Sequence, residues 1–412
     1  MVAPFLPDPE KLAAVREAIP ALAAGIYLNT GSVGPLPAET AAAMADLEAY
    51  ERDIGRAHPD YFTEFLGRMD EARAGVAAVL GTDVGAVGLT HSTTDGMNAA
   101  TLLPDWRSGG RVVSTAHEHA GGVGPLYALR DRLGVDVALV DAGDDGDDER
   151  TLRAFDAAIS RETRLVSISH VLWTTGAVMP VAAIAELAHA RGALMIVDGA
   201  QAAGAIEFRL DELGADLYAV SAQKWLLGPE GMGALVVDPA IVERLTPALG
   251  GHYSFKRIDG RGEAAWWDDG RRFEATGYHR PSVVGMARSI GWLSMYVGLD
   301  FVRRRGPALA AGLASRLQGI AGVELLTPPD RMATLVTIRI TGWPAQLALD
   351  ELGGRVFAIA RTIPSLDAVR FSVGFFTSEE ELDKLADAVE LIASHTPDSI
   401  PPRRVLAMLG DT

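Results

Sequence analysis

The sequence predicts an α/β protein, with a large domain built on a mainly parallel seven-stranded sheet between helices and a smaller α+β domain completing the chain. Three observations carry this. Short β-branched runs alternate with helical patterns from Val87 to Val237, which marks a parallel sheet covered on both faces. A chain of 412 residues, 48% hydrophobic, can bury a large core and divides naturally into more than one domain. Beyond Pro281 a long helical stretch leads into strands and helices of another rhythm. We place the large domain at 25–280 and the small one at 1–24 and 281–412.

The expected strands of the large domain are Ala86 to Leu89, Arg111 to Ser114, Asp136 to Val140, Arg164 to His170, Ala193 to Asp198, Leu217 to Ser221 and Gly233 to Val237. Helices separate them, such as Val181 to Ala190, whose apolar residues recur at helical spacing. Pro281 to Val297 reads as the connecting helix. Strands are expected near Val323 to Leu326, Leu335 to Ile340, Arg355 to Ala360 and Val369 to Phe375. A last helix opens at a capping box, Thr377 with Glu380, and presents Leu382, Leu385, Val389 and Ile392 on one face. A helix near Pro9 to Ala18 is expected to pack on the small domain. The acidic run Asp141 to Glu149 lacks EF-hand spacing and reads as a solvated loop.

Charge and composition exclude several classes. Lys and Arg number 37 against 54 Asp and Glu, a formal charge of −17 without any basic run, so neither nucleic acid nor an anionic membrane is the expected partner. The sequence has no run of transmembrane length and no signal-peptide core after Met1, so a cytoplasmic location is expected. There is no cysteine, which removes thiolate metal sites and thiol nucleophiles.

The residues that carry chemistry fall at strand ends, where open α/β sheets place ligands. Asp198-Gly199-Ala200-Gln201 closes one apolar run, and Lys224 follows the next in Ser221-Ala222-Gln223-Lys224-Trp225. Taken singly, an aspartate before a turn and a lysine before an apolar patch are ordinary features. Together they are the two groups pyridoxal phosphate requires, a lysine to form an imine with its aldehyde and an acid to face its ring nitrogen. The cofactor's other needs also find candidates. Gln201 is placed to reach the ring hydroxyl, although a glutamine opening a helix is often merely solvated. His119 in Glu118-His119 can stack on the ring, or simply satisfy a helix start beside the similar His117. Thr93 and Thr94 open a helix suited to phosphate, as any good cap would, and Ser221 is a further phosphate candidate.

In this order, with a late Arg370 in Arg370-Phe371-Ser372, the residues resemble the class V aminotransferase family of fold-type I pyridoxal-phosphate enzymes. The resemblance runs from Tyr27-Leu28-Asn29-Thr30-Gly31 almost to the end. Ser169 to Gly176, Arg271 to Gly277 and Arg361-Thr362-Ile363 look most like the branch of cysteine-conjugate carbon-sulfur lyases and isopenicillin N epimerase. The resemblance implies Lys224 as the Schiff-base lysine, Asp198 as the pyridine partner and His119 as the stacking group. It implies phosphate contacts from Thr93, Thr94 and Ser221, a ring-hydroxyl contact from Gln201, and substrate contacts from Asn29, Arg361 and Arg370. It places Thr174 beside the cofactor, where it is shorter than the asparagine of the lyase-like members and leaves the ring oxygen to Gln201. It also implies a homodimer with a shared site, in which Thr276 reaches the neighbour's phosphate.

Two departures bear on the reaction. The family's desulfurases take sulfur on a cysteine, which is absent here, and Gln223 stands where many relatives have histidine before the lysine. The expected reaction is β-elimination from a cysteine S-conjugate. Transamination, epimerisation and decarboxylation-coupled oxidative deamination stay open, because the same cofactor serves them all.

Overall fold

A computed structural model describes residues 6–275 and 277–403. Seven strands form the central sheet: β1 (Val87–Thr90), β2 (Arg111–Thr115), β3 (Asp136–Val140), β4 (Thr163–Ser169), β5 (Leu194–Asp198), β6 (Leu217–Ser221) and β7 (Gly233–Val237). Their order across the sheet is β1-β7-β6-β5-β4-β2-β3. Every pairing is parallel except those of β7, which runs against both neighbours. All but β7 therefore end on the same edge. Strands β6 and β7 are buried throughout, which is why they read as continuous apolar runs.

A second, antiparallel sheet contains β8 (Val323–Leu325), β9 (Leu335–Ile340), β10 (Arg361–Ile363) and β11 (Ala368–Ser372) in the order β8-β9-β11-β10. Leu313 and Leu317 of helix Leu299–Gln318, Leu352 of helix Ala345–Val356 and Leu385 of helix Glu379–Ala393 join it in one core. Ile26–Tyr27 pairs in parallel with Ala358–Ile359, and Ile26 and Leu28 lie in this same core. The chain thus reaches the large sheet from the small one and carries Asn29 to Gly31 to their junction. The N-terminal helix, Asp8–Glu17, packs where expected: Arg16 donates to the Phe376 carbonyl and to Glu381, each at 2.8 Å.

The local reading needs four corrections. Arg355 and Val356 close a helix instead of opening a strand, and Phe357 turns the chain with φ 55° before the two-residue strand Ala358–Ile359. The strand expected to reach Phe375 ends at Ser372. The connecting helix is α-helical over Arg280–Gly291 and widens to π geometry over Trp292–Val297. The capping box uses Ser378 and Glu381, one residue later than expected.

A buried ion pair anchors the loop before Arg280. Arg73, on helix Pro59–Leu80, meets Glu274 through two bonds of 2.7 Å, and Glu274 also accepts from the Leu89 N–H at 2.9 Å. Tyr278 donates to the Leu89 carbonyl at 2.7 Å. Both charges are fully partnered, as their burial demands.

Candidate active site

The sheet's C-terminal edge gathers the side chains selected from sequence. After β1, the Ser92 hydroxyl accepts from the Asp95 N–H at 3.1 Å and caps helix Thr93–Thr101. Thr93 donates its N–H to Ser221 Oγ at 3.1 Å, and the two hydroxyls lie 2.5 Å apart. Ser221 ends β6, so two of the phosphate candidates meet at a helix N-terminus, where backbone donors and the dipole favour an anion. Thr94 is exposed; its hydroxyl lies against Gly121, where a Cβ would come within 2.3 Å of it. Thr276 lies outside the described residues.

After β2, His119 caps helix Ala120–Leu133, its Nδ1 accepting from the Gly121 N–H at 3.0 Å. In the neutral ring the proton therefore sits on Nε2. Burial and the Lys224 charge lower its pKa, which keeps the ring neutral. It meets Trp173 edge-on, with centroids 5.3 Å apart. His117 turns away to Asp141, at 3.1 Å.

Asp198 ends β5, buried, with Oδ1 accepting from the Ala200 N–H at 2.9 Å. Gly199 has to be glycine, since a Cβ would stand 2.1 Å from the Tyr218 ring. Behind it His170 donates its N–H to the Asp198 carbonyl at 2.9 Å and pairs Nδ1 with the Tyr218 hydroxyl at 2.9 Å. Burial pushes the His170 pKa down to about 4, so this support is neutral.

Lys224 follows β6. Burial lowers its pKa to about 8, with Asp198 opposing the fall and Arg370 and Arg361 adding to it. The amine therefore lies close enough to Asp198, Arg370 and Arg361 to feel all three charges. The lowered pKa favours the free amine relative to an exposed lysine.

Arg370 lies fully buried on β11, and Arg361 faces it in register on β10. Arg370 donates Nη1 to the Trp173 carbonyl at 2.6 Å, while its Nε and Nη2 have no partner among the described residues. Burial and the Arg361 charge bring its pKa down to about 9. Arg361 lies over the Trp173 ring, 5.4 Å from its centroid, and donates to Ser32 Oγ at 3.3 Å.

Gln201 is more committed than its sequence position suggests. Its Nε2 donates to the Gly31 carbonyl at 2.8 Å and its Oε1 accepts from Trp225 Nε1 at 2.9 Å, which leaves one N–H. Thr174 is buried, and its hydroxyl has no partner among the described residues.

Unpartnered buried polar atoms also mark the region: Asn29 Oδ1, Trp173 Nε1, Gln223 Oε1 and Ser372 Oγ join those of Thr174 and Arg370. Asn29 bridges to Ser372, which ends the strand of Arg370, and Gly34 donates to the Gln223 carbonyl at 2.6 Å, next to Lys224. Folded proteins rarely leave such groups without a ligand or water. Donors for a carboxylate and a phosphate, an amine for an aldehyde and an acid for a ring nitrogen together fit pyridoxal phosphate and an amino acid.

The profile of the Aminotransferase class-V family matches residues 26–385. The chain belongs to the class V aminotransferase family. With that membership comes the family's cofactor, pyridoxal phosphate, and action on amino acids. The chain is 30% identical to an isopenicillin N epimerase from Streptomyces clavuligerus, over 89% of this chain and 94% of that one. It is 28% identical to a probable cysteine desulfurase from Methanothermobacter thermautotrophicus, over 92% and 97% of the two chains. The solved cystine C-S lyase C-DES, in complex with its product cysteine persulfide, shares the fold with a TM-score of 0.85 at 24% identity, over 92% of this chain and 100% of that one.

Three residues beside these candidates have no role legible in the sequence. Glu118 was noted only as the neighbour of His119, yet three hydrogen bonds hold it beside Asp198. Trp173 and Ser169 lay inside a recognised string. Their polarity at strand ends was the available signal.

Proposed function

We propose that the protein is a pyridoxal-phosphate carbon-sulfur lyase that eliminates the β-substituent of a cysteine S-conjugate, working as a homodimer. The observation behind this reading is that Lys224 feels the charges of Asp198 and of the buried Arg370, whose Nε and Nη2 have no partner among the described residues, in a chain without cysteine. When bound, pyridoxal phosphate supplies the electron sink that allows Cα to lose a proton and Cβ to lose its sulfur. Thr93, Thr94 and Ser221 hold the phosphate, Asp198 fixes the ring nitrogen, and His119 covers the ring. Gln201 serves the ring oxygen with its remaining N–H, beside Thr174. Arg370 grips the α-carboxylate through its Nε and Nη2, a planar fork that lysine does not reproduce.

Lys224 performs the proton work. Its lowered pKa gives Nζ a usable fraction of free amine, which takes the proton from Cα and returns one to the departing sulfur. The Cα–H electron pair forms the Cα–Cβ double bond as the Cβ–S bond breaks. With water, the net products are a thiol, pyruvate and ammonia. The chain has no thiol to accept sulfur as desulfurases do, so sulfur leaves on the product.

A panel of S-substituted cysteines should release pyruvate without added keto acid; failure across the panel ends this reading. Epimerisation is the second reading, supported by the 30% identity to isopenicillin N epimerase. It requires solvent deuterium at Cα with the side chain retained.

A further inference from the structure

Glu118 stands behind Asp198 at the floor of the site. Its Oε1 accepts from Thr115 Oγ1 at 2.8 Å and from the Ser169 N–H at 3.1 Å, and its Oε2 from Ser169 Oγ at 2.5 Å. Ser169 is the register partner of Asp198 on adjacent strands. The two carboxylates converge on Gly122, where a Cβ would be 3.6 Å from Asp198 Oδ2 and 3.8 Å from Glu118 Oε2. No arginine or lysine is hydrogen-bonded to either carboxylate among the described residues. The groups facing Glu118 are Thr115 from β2, Ser169 from β4, Asp198 from β5 and the first turn of the His119 helix. Lys224, across the cavity, acts on Asp198 and His119.

We propose that Glu118 is a positioning residue that acts through Asp198, holding a proton when Asp198 bears its charge alone and releasing it when a cationic ring nitrogen docks there. This rests on the pyridoxal-phosphate reading. Two anions in one desolvated corner repel, so one is better kept neutral. A cation on Asp198 cancels the repulsion, and the three donors then favour the ionised Glu118. Its carboxyl O–H bond breaks, the electron pair stays on oxygen, and the proton passes to solvent. Burial, with the charge of Asp198 adding to it, raises the Glu118 pKa to about 7 despite those donors, so the exchange falls in the physiological range.

The test is infrared difference spectroscopy on cofactor-free protein titrated with pyridoxine 5′-phosphate, which has no aldehyde and cannot bond to Lys224. At pH 6 the wild type should lose a protonated-carboxyl band on binding, and at pH 8.5, where Glu118 is already ionised, it should not. Glu118→Gln should abolish the band loss while retaining binding. If Glu118→Gln does not fold, Ser169→Ala replaces it: losing the hydroxyl donor should move the midpoint of the band loss to higher pH. Binding at pH 6 with no band loss, a loss that persists in Glu118→Gln, or an unmoved midpoint in Ser169→Ala overturns the inference and leaves the cofactor reading intact. No binding to the wild type overturns both.

Discussion

Replacing Arg370 with methionine separates binding from stability. The side chain is fully buried, makes one bond to the Trp173 carbonyl and keeps Nε and Nη2 for a carboxylate. Two charge-assisted bonds at about 1.5–3 kcal/mol each amount to about 3–6 kcal/mol. That corresponds to a fall of about 10²–10⁴ in kcat/KM for whichever amino acid turns over best. Stability should respond differently. Losing the bond to Trp173 costs about 1 kcal/mol, but the variant also removes a buried cation that has no carboxylate against it. The Arg370 pKa is lowered to about 9, so the folded protein holds this proton less tightly than the unfolded chain, and the charge costs stability at pH 7. The melting midpoint of substrate-free Arg370→Met should therefore match or exceed wild type at pH 7. Arg370→Lys should rank between the two in kcat/KM. A kcat/KM within tenfold of wild type, from protein that melts normally, would refute the assignment.

Three further outcomes follow from the same geometry. Asp198→Asn keeps the bond to Ala200 but loses the charge, and kcat should fall at least about a hundredfold while circular dichroism stays native. His170→Gln addresses acid stability: with a folded pKa of about 4, below the unfolded value near 6.5, His170 contributes stability that disappears as pH falls from about 6.5 to about 4. Urea titrations at pH 7.5 and pH 5 should show a smaller acid loss in the variant, and equal losses contradict the assignment. Arg73→Met strands the buried Glu274 and should cost about 3–5 kcal/mol, much of it recovered by Arg73→Met with Glu274→Met in a double-mutant cycle.

The inner strands were legible because burial on both faces selects apolar runs, and each large-sheet strand, the exposed edge strand Asp136–Val140 included, lies within two residues of its expected position. Helix Ala38–Ile54 was not, since Thr40 is its one buried residue and its faces scarcely differ. The stretch at Arg355 misled because β-branched Val356 and aromatic Phe357 suit strands, while helix Ala345–Val356 runs to Val356 and Phe357 turns out of it with φ 55°. The capping box slipped by one because Thr377-Ser378 offers two hydroxyls with a glutamate three residues beyond each. Within the site, the type and order of residues announced Lys224, Asp198 and Arg370. Partnership was invisible: nothing in the string ties the Gln201 amide to Gly31 and Trp225, or sets Glu118 against Ser169. Those depend on contacts between residues distant in sequence, which local periodicity does not encode.

The proposed chemistry turns on the amine that captures the aldehyde. Protein loaded with pyridoxal phosphate, reduced with borohydride, digested and sequenced by mass spectrometry should carry the pyridoxyl group on Lys224, and Lys224→Ala should lose both the label and the visible absorbance. A label on another lysine, or an unchanged spectrum in Lys224→Ala, would contradict it.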